Sequence, residues 1–343
     1  MKILLIGGTG TISTAISKLL LAQNHELYLL NRGSKNIFAD AQYITCDIHD
    51  ESAVAQKIAS LQFDAVADFV AYTREDVVRD YKLFVEKTKQ YFFISSASAY
   101  QKPPVDYRVS ESTPLVNPFW EYSRNKIACE DFLMEKYRTE NFPVTIVRPS
   151  HTYNEYKVPV AVHGTYGSWQ VLQRMLDGKK IIIPGDGATL WTLTHSSDFA
   201  RAFVRLIGNP HALGQAVHIV GNESMTWDMI YETIAAALGV KLNAVHIASD
   251  FLAKVGTQYS LEGNLLGDKS RTVVFDTTKL KQLVPDFCAH VSMAEGLRAS
   301  VRYVLQHEEC HAEDKAFDTW CDNVIATYEN ALAQLLNEST SSL

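Results

Sequence analysis

Tyr122 and Lys126 are the two residues of this sequence whose types and spacing point most directly to chemistry. They are four positions apart in a segment predicted to be helical from near Trp120, so the phenol and the ammonium share one helix face. A free tyrosine titrates near pH 10, too high for a base at neutral pH. A nearby cation stabilises the phenolate and lowers that pKa, which would make Tyr122 a usable acid/base. The spacing is common by chance, so it needs support from other features.

Hydroxyl groups at the end of a predicted strand give that support. The apolar run 91–94 leads into the segment 95–100, which reads SSASAY. Ligands of parallel α/β sheets bind beyond the carboxyl ends of the strands. We therefore expect the hydroxyls of Ser96 and Ser98 to lie at a ligand site.

A glycine-rich turn follows the first predicted strand. Residues 2–6 are apolar apart from Lys2, residues 7–13 read GGTGTIS, and an amphipathic helix follows. A tight turn needs a residue that tolerates positive φ, and a pyrophosphate must approach amides at a helix N-terminus closely. A glycine motif alone also fits an ordinary strand–helix turn. Its position inside a strand–helix–strand unit favours dinucleotide binding, with Ser13 as the third small residue.

The end of the second predicted strand bears on which dinucleotide is bound. An Asp or Glu normally holds the adenosine ribose 2′-hydroxyl there, but this chain has Asn31 and Arg32, with Lys35 nearby. A neutral residue beside a cation suits a 2′-phosphate, so the cofactor is predicted to be NAD(P), with NADP favoured over NAD. In the alternative interpretation, Arg32 is a solvated loop residue that stacks on the adenine.

Alternating strand and helix patterns predict an α/β fold, a Rossmann-type doubly wound parallel sheet with a smaller interleaved C-terminal substrate lobe. Residues 1–150 are expected to form the dinucleotide-binding domain, with some of 181–205 returning to it. Residues 151–343 are expected to form mainly the substrate lobe and a C-terminal helix. The predicted strands are 2–6, 26–30, 43–47, 65–70, 91–95 and 144–147, with helices near 51–61, 74–88 and 121–139.

The regular alternation ends near residue 150. Segments 151–168 and 255–272 are predicted to be loops. Two helix starts have capping signals, Thr73 with Asp76 and Thr226 before 227–238. The polar tail 337–343 is expected to fray.

Composition excludes several classes of protein. The chain has 343 residues, 47% hydrophobic and 21% charged, which allows about two domains and a core without disulfide or metal staples. The net charge of −7 (32 − 39) disfavours a nucleic-acid partner or an anionic membrane. Five scattered cysteines and no long apolar segment predict a cytoplasmic protein without a membrane span. His307, Cys310, His311 and Cys321 match no common zinc spacing, so no metal is expected.

Several motifs together carry a resemblance to a known family. They stand in one order along the chain: GGTGTIS at 7–13, Ser96 with Tyr100, Tyr122 with Lys126, RPSHTY at 148–153, GDG at 185–187, HSSD at 195–198 and DTTK at 276–279. The chain resembles the extended short-chain dehydrogenase/reductases, the NAD-dependent epimerase/dehydratase family, up to about residue 305.

The resemblance implies a role for each matching residue. Tyr122 would be the acid/base of hydride transfer at a secondary alcohol or ketone of a sugar-like substrate. Lys126 would hold the nicotinamide ribose and lower the Tyr122 pKa. Ser96 would bind the substrate oxygen, with Ser98 as a second candidate. The remaining implied cofactor contacts are Gly7, Gly10, Thr11, Ile12, Asp47, Ile48, Ala71, Pro149 and Ser150. A homodimer through the helices near 74–88 and 121–139 is also implied.

Departures from the family pattern narrow the reaction. Ala97 and Ser98 replace the Asp-Glu pair of the nucleotide-sugar 4,6-dehydratases, so dehydration is disfavoured. Trp191 and Leu265 stand where nucleotide-sugar enzymes bind a diphosphate with arginines, and neither can replace an arginine–phosphate fork. Lys269, Arg271 or Arg174 could compensate for them. His151 stands where sugar epimerases often have Asn, and it is equally well a substrate contact or a hydrogen-bonded loop residue.

Two functions of different class remain open. In the first, the chain is an NAD(P)-dependent oxidoreductase or epimerase whose substrate is a small molecule, with Trp191 and His151 among its contacts. In the second, it resembles atypical relatives that keep the dinucleotide fold for RNA binding or regulation. The intact pair of Tyr122 and Lys126 and the net charge of −7 favour the enzyme.

Overall fold

The structure, a computed structural model, describes residues 1–33 and 37–340. Lys35 therefore lies outside the described residues. The strands are β1 Lys2–Ile6, β2 Glu26–Asn31, β3 Gln42–Thr45, β4 Ala65–Asp68, β5 Tyr91–Ile94, β6 Arg108–Val109, β7 Val144–Pro149, β8 His151–Tyr153, β9 Ile181–Pro184, β10 Leu190–Trp191, β11 Leu193–His195, β12 Gln215–Ile219, β13 Met225–Thr226, β14 Ala244–Ile247 and β15 Val274–Phe275.

The α-helices connect these strands along the chain. They are α1 Ser13–Ala22, α2 Glu51–Lys57, α3 Arg74–Phe84, α4 Glu121–Glu140, α5 Trp169–Leu176, α6 Ser196–Leu206, α7 Trp227–Leu238, α8 Ser249–Val255, α9 Thr278–Leu283, α10 Met293–Gln306 and α11 Lys315–Thr340. The chain divides into two compact units. The first is Met1–Asn154, Thr192–Glu223 and Val273–Val291, and the second is Glu155–Trp191, Ser224–Thr272 and Ser292–Leu343.

The first unit is built on a seven-stranded parallel sheet in the order β12-β7-β5-β4-β1-β2-β3. The strand order reverses between β1 and β4, and in doubly wound sheets ligands bind in the crevice at that point. The expected fold class is therefore confirmed. The strand β12 was not predicted from the sequence.

Both faces of this sheet are covered, as its composition requires. Ile3 and Leu5 of β1 join the core that includes residues of α1 and α6. Their neighbours Leu4 and Ile6 join the opposite core, which includes residues of α2, α3 and α4. Successive side chains of a strand point to opposite faces, so a strand buried on both sides is apolar throughout.

The second unit is mainly helical, with two short strand pairs, β9 with β14 and β10 with β13. The buried Arg174 of α5 binds Asp318 at 2.6 Å and Asp322 at 2.8 Å, which fixes α11 to α5. The roles of the two units, and the predicted boundary at residue 150, stay predictions.

Several local predictions can be compared with the structure. All six predicted strands are present, and the capping hydrogen bonds of Thr73 and Thr226 are confirmed. The prediction of loops was wrong in two places, since β8 lies at 151–153 and a π-helical segment spans Glu262–Lys269. Of the tail predicted to fray, residues 337–340 belong to α11 and residues 341–343 lie outside the described residues, so fraying stays a prediction. No helix in the described residues is both long and apolar enough to cross a membrane.

Candidate active site

The glycine-rich turn after β1 has the geometry that a close ligand needs. Gly7 has φ +76°, and a Cβ there would lie 2.5 Å from Cγ1 of Val70. The hydroxyl of Ser13 donates to the carbonyl of Gly7 at 2.7 Å and accepts from the amide of Gly10 at 2.9 Å. Ser13 therefore closes the turn and begins α1, as a third small residue should.

The N-terminus of α1 presents backbone amides. Thr11 is exposed and Ile12 is partly exposed. Among the described residues, Ile12 provides no side-chain cap and the first turn holds no acidic residue. Amides at a helix N-terminus favour an anion, so this end of α1 can receive a phosphate group.

Asn31 is the last residue of β2, and of its two side-chain polar atoms only Oδ1 has a hydrogen-bond partner among the described residues. Its Oδ1 accepts from the amide of Gly33 at 2.9 Å, while its buried Nδ2 has no hydrogen-bond partner among the residues described. A buried unpaired donor is costly unless a ligand completes it. Arg32 beside it is exposed. These two residues can hold a ribose and its substituent.

Asp47 and Ile48 lie in the loop after β3. Asp47 accepts from the backbone amide of His49 at 3.0 Å and from its Nδ1 at 2.9 Å. These bonds lower the pKa of Asp47, and Arg32 adds a smaller effect. Ile48 is 5% exposed and packs in the core, which leaves little of its side chain for an adenine.

Lys126 is buried in α4 and is held by backbone carbonyls. Its Nζ donates to the carbonyl of Ala71 at 2.6 Å and to that of Ile94 at 2.8 Å. It also lies 4.7 Å from the ring centroid of Tyr72 and 5.7 Å from that of Tyr122. Burial lowers the Lys126 pKa from 10.5 to about 8.

Tyr122 lies within a cluster of aromatic rings. Its ring centroid is 4.9 Å from that of Trp120 and 6.3 Å from that of Tyr72. Tyr122 is partly exposed, whereas Lys126 is 3% exposed. The phenol is thus the more accessible member of the pair.

The serines after β5 form a chain of hydroxyls. Ser96 Oγ lies 2.9 Å from Ser98 Oγ, which in turn lies 2.7 Å from Ser123 Oγ on α4. Ser98 is 3% exposed, whereas Ser96 is partly exposed. Ser96 is therefore the serine whose hydroxyl can face a ligand, and Ser98 connects it to the helix of Tyr122.

Three predicted site residues lie at the end of β7 and directly after it. Pro149 pairs with Ile219 of β12, and Ser150 Oγ lies 2.8 Å from Thr194 Oγ1. His151 begins β8 and is partly exposed. Trp191 belongs to the second unit, where it is 6% exposed and stacks on Trp227 with ring centroids 5.5 Å apart.

The buried ion pair between Arg148 and Glu130 was not predicted from the sequence. Arg148 Nε donates to Glu130 Oε1 at 3.0 Å, and Arg148 Nη2 lies 2.5 Å from Glu130 Oε2. Ser95 also donates to Glu130. Glu130 stands four residues after Lys126, so helical spacing was a signal that could have found it.

The two histidines among the residues considered for zinc face backbone carbonyls. The Nδ1 of His307 faces the carbonyl of Tyr303 at 2.8 Å, and the Nε2 of His311 faces the carbonyl of Val304 at 2.7 Å. These contacts satisfy carbonyls at the end of α10. Within residues 1–33 and 37–340, no group of three or more His, Cys, Asp or Glu side chains could hold a metal ion.

The parallel sheet, the glycine turn and the pair of Tyr122 and Lys126 are features of the short-chain dehydrogenase/reductase class of proteins. The family model "NAD dependent epimerase/dehydratase family" matches residues 3–83 and 76–220, so the chain belongs to that family. The family is one of NAD-dependent, sugar-modifying epimerases, dehydratases and reductases, which confirms the resemblance seen in the sequence.

Similar proteins include several members with different descriptions. A 2'-dehydrokanamycin reductase of Streptomyces kanamyceticus is 24% identical over 293 residues, covering 84% of this chain and 80% of the relative. The chloroplast stem-loop binding protein of 41 kDa b of Arabidopsis thaliana is 26% identical, covering 69% and 63%. The solved structure of UDP-glucuronic acid 4-epimerase from Bacillus cereus, in complex with UDP-glucuronic acid and NAD, has a TM-score of 0.71 at 19% identity, covering 89% and 99%. The structural likeness shows the shared fold.

Proposed function

We propose that this chain is an NAD(P)-dependent reductase or epimerase that acts at a secondary alcohol or ketone of a sugar-like small molecule. The observation that carries the proposal is the arrangement on α4. A partly exposed Tyr122 lies above a buried Lys126, whose ammonium is oriented by the carbonyls of Ala71 and Ile94. Ser96 supplies a hydroxyl from the end of the neighbouring strand.

The dinucleotide site fits such a cofactor. A Cβ at Gly7 would fill the turn after β1. Within the described part of the chain, Asn31 Nδ2 has no hydrogen-bond acceptor, and a ribose hydroxyl can supply one. When bound, a nicotinamide dinucleotide gives or takes the hydride. Lys126 has three N–H donors, of which two are used by carbonyls, so its third can bind the nicotinamide ribose.

The chain's own residues handle the proton. In reduction, the Tyr122 hydroxyl donates its proton to the substrate oxygen, and the Ser96 hydroxyl donates a hydrogen bond to the same oxygen. In oxidation, the Tyr122 phenolate takes the proton of the substrate hydroxyl. The Lys126 cation stabilises that phenolate, because a close opposite charge favours the ionised form.

Replacing Tyr122 tests the assignment. Tyr122→Phe removes the proton carrier and keeps the ring, so we expect kcat to fall about 10²- to 10⁴-fold while the cofactor Kd changes little. Tyr137→Phe makes the same change in the same helix, about four turns away, and should keep full turnover. Full turnover of the Tyr122→Phe enzyme refutes the assignment.

The cofactor preference rests on Asn31 and Arg32. A neutral amide with a neighbouring exposed cation suits a 2′-phosphate, so we propose that NADP binds more tightly than NAD. Titration of the protein with both cofactors measures the two Kd values. A clear preference for NAD contradicts this aspect of the proposal.

We propose that the reaction does not include dehydration of the substrate. Ala97 and Ser98 are both buried, and neither has a carboxylate to move the proton of an elimination. The chain is also 22% identical to a probable dTDP-glucose 4,6-dehydratase of Sinorhizobium fredii. Incubation with dTDP-glucose and cofactor should therefore give no product 18 mass units lighter, the mass of one water.

The substrate is proposed to lack a nucleoside diphosphate. Trp191 is stacked and Leu265 is 0% exposed, so neither position offers a cation to a diphosphate. The reductase relative acts on 2'-dehydrokanamycin, a compound whose name includes no nucleotide. His151, Ser98 and Trp191 are kept as candidate substrate contacts. Cofactor oxidation with keto-sugars and with UDP-keto-sugars decides between the two substrate classes.

A second candidate function is RNA binding, which the similarity to the chloroplast stem-loop binding protein favours. We rank it below the enzyme because Tyr122 and Lys126 are both present and the net charge is −7. Filter binding of a stem-loop RNA tests it. Saturable RNA affinity without turnover on any substrate reverses the ranking.

Two broader expectations remain proposals. We assign the cofactor to residues 1–150, with segments of 181–205, and the substrate to residues 151–343. A homodimer through α3 and α4 is the proposed assembly, and its mass in solution by light scattering tests it.

A further inference from the structure

The loop after β4, residues 69–73, contacts Lys126 through a backbone carbonyl and an aromatic ring. Its Ala71 carbonyl accepts from Lys126 Nζ at 2.6 Å, and its Tyr72 ring lies 4.7 Å from the same atom. The backbone path of this β4 loop therefore determines where the ammonium lies.

Two carboxylates fix that path through backbone amides. Asp68, 0% exposed, accepts from the amides of Val70 and Ala71, the latter at 2.8 Å. Asp76 Oδ2 accepts from the amides of Tyr72 and Thr73, each at 2.9 Å. The amides of residues 70–73 are thus each bound by the carboxylate of Asp68 or of Asp76.

Arg79 joins the carboxylates on both sides of the loop. Its guanidinium donates to Asp76 Oδ1 at 3.0 Å and to Asp80 Oδ1 at 2.9 Å, and it forms an ion pair without a hydrogen bond to Asp68, whose Oδ2 lies 3.5 Å from Arg79 Nη2. Arg79 is 5% exposed and Asp80 is 0% exposed. Burial and the neighbouring Asp68 raise the pKa of Asp80 well above its ordinary value, and Tyr91 donates to it at 2.5 Å.

We propose that Arg79 is a positioning residue for Lys126: by holding Asp68 and Asp76, it fixes the β4 loop whose Ala71 carbonyl orients the ammonium. Arg79 touches neither substrate nor cofactor in this scheme. The inference rests on the role proposed for Lys126 in supporting Tyr122, and it adds the device that keeps the ammonium in place.

The charged and titratable groups around Lys126 make a direct test possible. They are Asp68 and Asp76 from the β4 loop side, Cys129 and Glu130 on its own helix, and the phenols of Tyr72 and Tyr122. Burial raises the pKa of the Cys129 thiol to about 12, so this thiol stays neutral near pH 8. Glu130 is paired with Arg148.

Removing Arg79 has two opposite effects on the Lys126 pKa. Loss of the guanidinium charge alone leaves Asp68 and Asp76 uncompensated, which would raise the Lys126 pKa. Release of the loop withdraws the Ala71 carbonyl from the ammonium, which lowers it. The sign of the shift therefore separates positioning from simple charge.

The Lys126 pKa can be measured without substrate or cofactor. The Cε resonance of Lys126 in ¹³C-lysine-labelled protein is assigned by its absence in Lys126→Arg and followed against pH. In Arg79→Gln we expect the pKa to fall by about one unit, as the loss of one hydrogen bond to a charged group implies. Arg174→Gln removes an equally buried arginine of the second unit and should leave the Lys126 pKa unchanged.

Arg79→Lys keeps the charge and covers the case in which Arg79→Gln does not fold. An ammonium cannot bridge three carboxylates as a guanidinium does, so the pKa should fall here also. A Lys126 pKa that rises in Arg79→Gln, or that is unchanged in Arg79→Lys, overturns the proposal. If the pKa falls while Tyr122→Phe keeps full turnover, the positioning stands and the proposed reaction is wrong.

Discussion

We expect the protonated, buried Lys126 to lower the free energy of unfolding of the protein. The size of this effect follows from the groups around the ammonium. The ammonium is 3% exposed, and it donates hydrogen bonds to the neutral carbonyl oxygens of Ala71 and Ile94. Burial lowers its pKa from 10.5 to about 8. Since the unfolded chain binds the proton more tightly, protonation at neutral pH penalises the folded state.

The difference of about 2.5 pKa units corresponds to about 3 kcal/mol at pH 7. This penalty is complete below the folded-state pKa of about 8. It is relieved as the pH rises toward 10.5, and at pH 10 about 1 kcal/mol remains. Wild-type stability should therefore rise, relative to a variant without the amine, across this pH window.

Lys126→Met is the appropriate perturbation because it keeps the length of the side chain and removes its charge. We expect the free energy of unfolding of Lys126→Met minus that of wild type to be about 2 kcal/mol larger at pH 7 than at pH 10. Urea unfolding without added cofactor, followed by circular dichroism at several pH values, measures this difference. The same variant should lose activity, since the Tyr122 phenolate loses its cation.

Lys136→Met is the matched control in the same helix. The Glu140 carboxylate raises the Lys136 pKa above 10.5, so any contribution of this residue to stability is lost only above pH 10.5 and is constant between pH 7 and 10. Between pH 7 and 10 the stability difference should therefore change with pH for Lys126→Met and stay constant for Lys136→Met. A stability difference for Lys126→Met that is flat between pH 7 and 10 refutes the reasoning.

Three further changes test other features of the site. Gly7→Ala should raise the cofactor Kd more than tenfold in titrations, because φ is +76° and the new methyl meets Val70. Glu130→Leu should cost about 3 to 5 kcal/mol in urea unfolding by leaving Arg148 unpaired, and adding Arg148→Met should recover most of it; equal losses in both variants contradict this. Asn31→Asp should shift the ratio of the two cofactor Kd values toward NAD, and an unchanged ratio places the selection elsewhere.

The features that could be predicted from the sequence are those encoded over short distances. The turn at 7–13, the capping box of Thr73 and the spacing of Tyr122 and Lys126 each lie within one or two helical turns or a single loop. Their geometry follows from local rules of backbone and helix, and the structure reproduces it. The parallel sheet was predictable because strands buried on both faces are apolar throughout.

What could not be predicted depends on contacts between distant segments of the chain. The acceptors of Lys126 are backbone carbonyls of residues 71 and 94, and a carbonyl carries no sequence signal. Arg79 meets Asp68 only because β4 and α3 meet at the β4 loop. The strand β12 lies at the edge of the sheet beside β7, and many residues separate the two strands in the sequence. It follows the region near residue 150 in which the regular alternation of strands and helices ends.

Lys126 differs from the buried arginines Arg79 and Arg148 of the first unit in the groups that it contacts. Arg79 and Arg148 are both buried, and each meets carboxylates directly. Lys126 meets carbonyl oxygens and aromatic faces instead. Glu130 stands one turn after Lys126, and its carboxylate is paired with Arg148 at 2.5 Å. Because Arg148 pairs with that carboxylate, we expect the charge of Lys126 to stay available to the Tyr122 phenol in the proposed reaction. The ion pair below the site thus preserves the electrostatics that the proposed proton transfer requires.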